Sequence, residues 1–374
     1  MTTILEGRFV TATEDLPNAR IAVDESGIIT AVEPLSGRGE TLWVPGFVDL
    51  HNHGGRGGAF PTGSTEDCRR AALYHRENGT TTLLASTVSA NEEELLRQIE
   101  RLRPLVAEGL IAGVHLEGPF VSPHKCGAQN PDRVSPGDPD LFARLLDAAE
   151  GDILSMTFAP ETAHVRELLT LCARHGVLAS LGHTAADAAT TAQALQLAAE
   201  VGAAVTATHL FNAMPPVHHR APGAAAALIA AGRGGTAGLE LVADGVHLAD
   251  ATVDMVAAGP NSAAFAVTDA MEAAGMADGD YVLGALDVVV SEGVARLRTV
   301  DGSPGAIAGG TSTLREQFLR FRARHGTQAA VAFTSANAAR VLRQVTHVPT
   351  PEVGQPARLV GLDTAGRVTQ VIAH

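Results

Sequence analysis

The chain has 374 residues, 45% apolar and 18% charged, which is enough for one large core plus a small accessory domain and too apolar for disorder. A formal charge of −14 disfavours nucleic acid and anionic membranes as partners, while leaving room for a small anionic ligand in a locally cationic pocket. Three cysteines, Cys68, Cys126 and Cys172, lack CxxC spacing, so neither a disulfide framework nor a thiolate zinc site is implied and any metal ligands must be histidine and carboxylate.

The opening MTTILEGRFV has no basic stretch leading into an apolar one, and the longest apolar stretches, such as APGAAAALIAAG, are shorter than the ~20 residues of a membrane span, which predicts a cytoplasmic protein. The early segments ILEGRFVTA and ARIAVDESGIITAVE read as short strands separated by Gly turns. Eight apolar runs follow, each trailed by a helix-like stretch: VPGFVDL, TTLLAST, IAGVHL, ILSMTF, VLASLG, AAVTATH, TAGLELVAD and AAFAVTD. Helices are expected at Asn91 to Val106, His164 to Arg174 and Asp187 to Val201. Strands alternating with helices mean a parallel sheet, and eight of them close a (β/α)8 TIM-like barrel, here spanning 46–340. Within it, YVLGALDVVVSEGVARLRTVDG breaks the pattern and predicts a β-hairpin insertion around 276–306 that borders the active site. The closing ARLVGLDTAGRVTQVIA returns to short strands; 1–45 and 341–374 are each too small to bury a core alone and are expected to pair into one small β-sandwich.

Catalytic groups of such barrels come from the carboxyl ends of the strands. That is where His51 and His53 (VDLHNHG), Glu117 (HLEGPF), His183, His209 and Asp269 fall. His51 and His53 sit two residues apart, which on an extended strand turns both imidazoles to one face, where they can share a metal ion. A single histidine at a strand end is ordinarily a hydrogen-bonded structural residue; the joint pattern points instead to a metallohydrolase. Glu117 reads as a ligand or as a buried carboxylate paired to a cation, and either role commits it. His115, on the same face of the strand, is assigned a hydrogen-bonding role behind the ligands. Lys125 is the only lysine and lies beyond the third strand, in SPHKCG, so a carbamylated lysine is not expected; Glu117 is the expected bridging anion between two metals. Cys126 beside it reads as an ordinary loop thiol.

PGFVDLHNHG, HLEGPF, GHT, THLFNAM, ADGVH and VTDAM, with the later SANAAR and ARLVGLD, resemble in order the amidohydrolase superfamily and, within it, the N-acetylglucosamine-6-phosphate deacetylase family, over nearly the full chain. The resemblance implies hydrolysis of a sugar-phosphate acetamide by one or two divalent ions, zinc in the first place, with iron, manganese and cobalt equally suited to the donor set. Glu117, His183 and His209 would hold the principal ion, His51 and His53 a second, and Asp269 would be the acid and base. Substrate contacts map onto Ala128, Gln129, Asn212, Ala213, Arg220, His247 and Ile307, Arg220 offering a fork for phosphate oxygens. A homodimer is implied, because in the family the phosphate pocket is completed at a subunit interface. Two departures stand out: Gln129 replaces a histidine, which threatens sugar selectivity rather than hydrolysis, and Arg358 replaces a common aspartate, read as surface drift. Two rival readings remain: another amidohydrolase, a deaminase or cyclic amidase, which would not need Arg220 or FNAM, and a non-catalytic sugar-phosphate-binding paralogue, which only Gln129 favours.

Overall fold

The computed structural model describes residues 2–257, 259 and 262–373. Every one of the eight apolar runs becomes a strand: Phe47–Asp49, Thr80–Ser86, Gly113–Glu117, Ile153–Phe158, Leu178–Leu181, Val205–Ala207, Gly238–Leu241 and Ala264–Ala266, each parallel to its neighbours in chain order. These strands are buried throughout, as expected of a sheet with helices outside and its own filling inside. The ring is drawn shut where Asn52 bridges Ala270 and the Thr268 N–H donates to Asp49 Oδ1. The fold is a (β/α)8 barrel with a β-rich accessory domain.

Helix starts are written in the side chains. Asn91 accepts from the Glu94 N–H and Glu94 returns the bond to the Asn91 N–H, so that helix runs Glu92–Ala107. Asp187 caps Ala188–Val201 by accepting from the Thr190 N–H, without the return bond. The third expected helix occupies Val165–His175, entered through a left-handed His164 with no side-chain cap and left through Gly176. Apolar faces of these helices pack with Leu83, Leu116 and Phe158 in the large core, while Val48, Leu84, Leu154, Leu178 and Phe265 form a second cluster with Ala338, Val341 and Leu342 towards the amino ends of the strands. No helix is long and apolar enough to cross a membrane among the described residues.

The two ends of the chain meet in one six-stranded sheet, ordered Val368–Ala373, Arg358–Leu362, Leu42–Pro45, Thr3–Val10, Asp15–Val23, Ile29–Pro34. It has its own buried cluster of Leu5, Phe9, Ile21, Ile29, Trp43, Leu359 and Ile372. Residues Gly279–Leu283, Leu286–Ser291 and Val294–Leu297 form the expected inserted hairpins as a three-stranded antiparallel sheet, packed through Leu283, Val288 and Ala295 on Val88, Met271 and Ala308. One expectation is overturned. Arg358 is not surface drift: it is half-buried where the small sheet meets the second barrel strand, and its Nη1 donates to the Thr81 carbonyl at 3.1 Å and to Thr82 Oγ1 at 2.8 Å. Satisfying two acceptors across the domain seam is a task no aspartate could perform.

Candidate metal centre and catalytic cavity

The site is assembled where strands stop. Glu117 is the last residue of the third strand, while His183, His209 and Asp269 lie two or three residues beyond the fifth, sixth and eighth. Those three have left-handed backbones, with φ of 46°, 24° and 48°. Such conformations cost about 1–3 kcal/mol each for residues with a Cβ and persist only where the surroundings over-determine them. Here the turn swings each side chain from the strand direction onto the barrel axis.

The side chains converge tightly. Glu117 Oε1 lies 2.9 Å from His183 Nε2, 3.1 Å from His209 Nε2 and 3.4 Å from His51 Nε2, and Glu117 Oε2 lies 3.2 Å from His53 Nε2. Asp269 Oδ1 faces the same group at 3.2 Å from His53 Nε2 and 3.5 Å from His51 Nε2. Two sets of ligand atoms, His51–His53–Glu117 and Glu117–His183–His209, each lie within 4.8 Å of one another, with Glu117 common to both.

The donor chemistry fits metal ions. His51 and His53 bring Nε2 atoms within 3.1 Å of each other, and His183 and His209 within 3.0 Å. Neutral imidazoles turned nitrogen to nitrogen have a cation as their natural common partner. The Nδ1 atoms support this arrangement: His183 Nδ1 donates to the Lys125 carbonyl at 2.9 Å, leaving Nε2 free to ligate. Electrostatics agree. Burial disfavours charge on His51, yet Glu117 and Asp269 hold its pKa well above the usual range. Burial likewise pushes the Glu117 carboxyl up, but His51 and His183 hold it well below the usual range. That demand for positive charge at His51, shared by His53 but not by His209, whose pKa burial lowers, is met by a divalent cation without protonating the rings. His115 stands apart: Ser86 Oγ and Thr157 Oγ1 lie 2.9 and 2.8 Å from its two nitrogens, and burial, then His51, lower its pKa. Both nitrogens are engaged, so it supports His51 edge-on at 4.5 Å and does not face the ion.

Above these groups opens a cavity of about 240 Å³, walled by His53, Glu117, His183, His209 and Asp269 and by Ala128, Gln129, Asn212, Ala213, His247 and Ile307. Leu283 of the inserted sheet closes one side, so the insertion does border the cavity. His247 Nδ1 donates to Asp244 Oδ2 at 2.8 Å, which presents Nε2 to the cavity, 3.8 Å from Asp269 Oδ2. Gln129 accepts from the Ser89 N–H through Oε1 at 2.9 Å, while its buried Nε2 has no partner among the described residues. Arg220 is the one expected substrate contact that does not line the cavity: residues 216–220 are exposed, and its Nη1 rests 2.7 Å from His219 Nε2. Cys126, half-buried beside Gly127, is not among the lining residues.

Sequence reasoning missed the groups behind the ligands. Asp49 is fully buried and accepts from Thr268 Oγ1 at 2.6 Å and Asn52 Nδ2 at 3.1 Å, pinning the first and eighth strands together beneath His51 and His53. Glu240 is buried in the seventh strand against His51 and His209. A signal existed in GLEL: a charge inside a parallel strand that is covered on both faces needs a partner.

Residues 42–373 match the model of the amidohydrolase family. The chain is 33% identical to the N-acetylglucosamine-6-phosphate deacetylase of Bacillus subtilis over 94% of its length and 90% of the relative's. It is 28% identical to the N-acetylgalactosamine-6-phosphate deacetylase of Escherichia coli O157:H7, covering 99% and 98%. Among solved structures, a mutant of the N-acetyl-D-glucosamine-6-phosphate deacetylase of Mycobacterium smegmatis, in complex with N-acetyl-D-glucosamine-6-phosphate, superposes with a TM-score of 0.88 at 36% identity, covering 100% of this chain and 98% of that one.

Proposed function

The chain belongs to the amidohydrolase family, and from that premise we propose that it hydrolyses the acetamide of N-acetylglucosamine 6-phosphate to glucosamine 6-phosphate and acetate. The observation that carries this reading is the convergence of Glu117, His183 and His209 within 4.8 Å, facing Asp269 across a cavity walled by the Asn212, Ala213 and His247 segments. Glu117, His183 and His209 would hold one divalent ion, and His51, His53 and Glu117 a second; zinc is our first choice. When bound, such an ion polarises an amide carbonyl and brings the pKa of water down to about 7.

The remaining chemistry belongs to side chains. Burial raises the Asp269 carboxyl, but His51 and His53 outweigh it and hold it below the usual range, so it is ionised at neutral pH and ready to accept a proton. Asp269 takes that proton as water adds to the acetamide carbonyl. It then delivers the proton to the sugar nitrogen, because an amine leaves poorly until protonated. His247, its Nδ1–H held by Asp244, accepts from a sugar hydroxyl through Nε2 when neutral and donates to a phosphate oxygen there as an imidazolium. Asn212, its Nδ2 bound to the His209 carbonyl at 3.1 Å, presents its side-chain oxygen to the substrate. Arg220, exposed and outside its own cavity, reaches the phosphate of a partner subunit's substrate in a homodimer. We assign the enzyme to the cytoplasm, where a phosphorylated sugar would be available to it.

The test measures acetate release from N-acetylglucosamine 6-phosphate, N-acetylgalactosamine 6-phosphate and unphosphorylated N-acetylglucosamine side by side, on protein of known metal content. The glucosamine phosphate should be the preferred substrate. Equal rates with and without phosphate, or no acetate from any sugar, would refute the assignment.

A further inference from the structure

We propose that Glu240 is a positioning residue for the second metal ion, holding His51 in the tautomer that turns Nε2 towards that ion. The inference rests on the reading of His51 and His53 as ligands. Glu240 lies in the seventh barrel strand and is 2% exposed. Its side-chain partners are all donors: His51 Nδ1 at 3.4 Å and the His209 backbone N–H at 3.2 Å on Oε2, and Ser180 Oγ at 3.4 Å on Oε1. No arginine or lysine pairs with it among the described residues. An ionised carboxylate buried without a cation is costly. The cost is met if His51 passes positive character inward: with a cation at Nε2, the Nδ1–H becomes a stronger donor to Glu240, and the carboxylate in turn makes Nε2 a better ligand.

The support is selective. His183 has its Nδ1 on a neutral backbone carbonyl, that of Lys125. His53 Nδ1 and His209 Nδ1 have no partner among the described residues. Of the four histidines, His51 alone is backed by a carboxylate, and it belongs only to the His51–His53–Glu117 half of the centre. The two halves should therefore differ in how they respond to loss of the Glu240 charge. The bond to the His209 N–H needs only an acceptor oxygen, which glutamine also provides; the bond to His51 gains most from charge.

The experiment titrates zinc-free protein with zinc, reads stoichiometry by elemental analysis, and compares wild type with Glu240→Gln. Wild type should bind two ions per chain. Glu240→Gln should hold the first with unchanged affinity and the second about 10- to 100-fold more weakly, with the melting temperature of the metal-free proteins alike. Retention of both ions at wild-type affinity would overturn the proposal, as would equal weakening of both, which marks a purely structural role. Wild type that binds a single ion would refute the two-ion reading itself, and the proposal with it. Should Glu240→Gln fail to fold, nitrogen-15 NMR of the zinc-loaded wild type decides: His51 must carry its proton on Nδ1, and a proton on Nε2 would overturn the assignment.

Discussion

At the carboxyl rim of the barrel, His183, His209 and Asp269 sit on left-handed backbone, and His53 Nδ1, His209 Nδ1, Ser89 Oγ and Gln129 Nε2 are buried without partners among the described residues. Towards the amino rim, Val48, Leu84, Leu154, Leu178 and Phe265 pack on Ala338, Val341 and Leu342, all of them buried. One end holds left-handed strain and unmet polarity around the ligands; the other is dominated by apolar contacts, with Thr80 Oγ1, Thr81 Oγ1 and Arg358 Nε the unpartnered polar atoms beside it among the described residues. The same eight strands serve both, so stability and reactivity lie a few residues apart on each strand and should be separable by mutation.

Removing metal is the harshest way to break that separation at the upper rim. Chelation should abolish acetate release, and zinc should restore it, while the far-ultraviolet circular dichroism of the barrel persists; loss of the helical signal would show that the upper rim also holds the fold. Asp269→Asn comes next, lowering kcat by a factor of ~10² or more with metal content unchanged; near-normal turnover would remove Asp269 from the mechanism. Leu84→Ala addresses the lower rim and should cost about 2–5 kcal/mol in chemical denaturation, leaving kcat of the folded protein within twofold of wild type. A large loss of kcat there would mean that the two ends are coupled. Asn91→Ala, at a helix cap on the upper rim two residues from Ser89 but outside the ligand set, should cost about 1 kcal/mol and leave metal content unchanged. The gentlest probe is thiol labelling. Burial pushes the Cys68 thiol up to about 11, and Cys172 is fully buried, so native protein should show one fast-reacting cysteine, Cys126 on the upper rim, and all three only after unfolding.

Much of this was legible in the chain. Period and composition identified all eight strands because each is a short apolar run buried on both faces, and caps such as Asn91 and Asp187 announced their helices locally. The ligand candidates were visible because histidine and carboxylate at the end of an apolar run are chemically conspicuous. Glu240 and Asp49 were not, since each gains its meaning only from partners more than 180 residues away in the chain, His51 and Thr268. Arg358 was misread for a related reason: its acceptors, Thr81 and Thr82, belong to another domain. Left-handed turns at His183, His209 and Asp269 leave only a weak trace in residue type, because glycine is the strong signal for such a backbone and the preference of histidine and aspartate for it is modest.

Lys125 is the sole lysine in the sequence, and its carbonyl steadies His183 from a loop over the cavity. Amine-directed reagents therefore meet a single side-chain target, next to the reacting centre. A fluorophore attached there by an activated ester would act as a built-in reporter of substrate arrival, and cross-linkers that bridge side-chain amines would have almost nothing to join elsewhere on the surface.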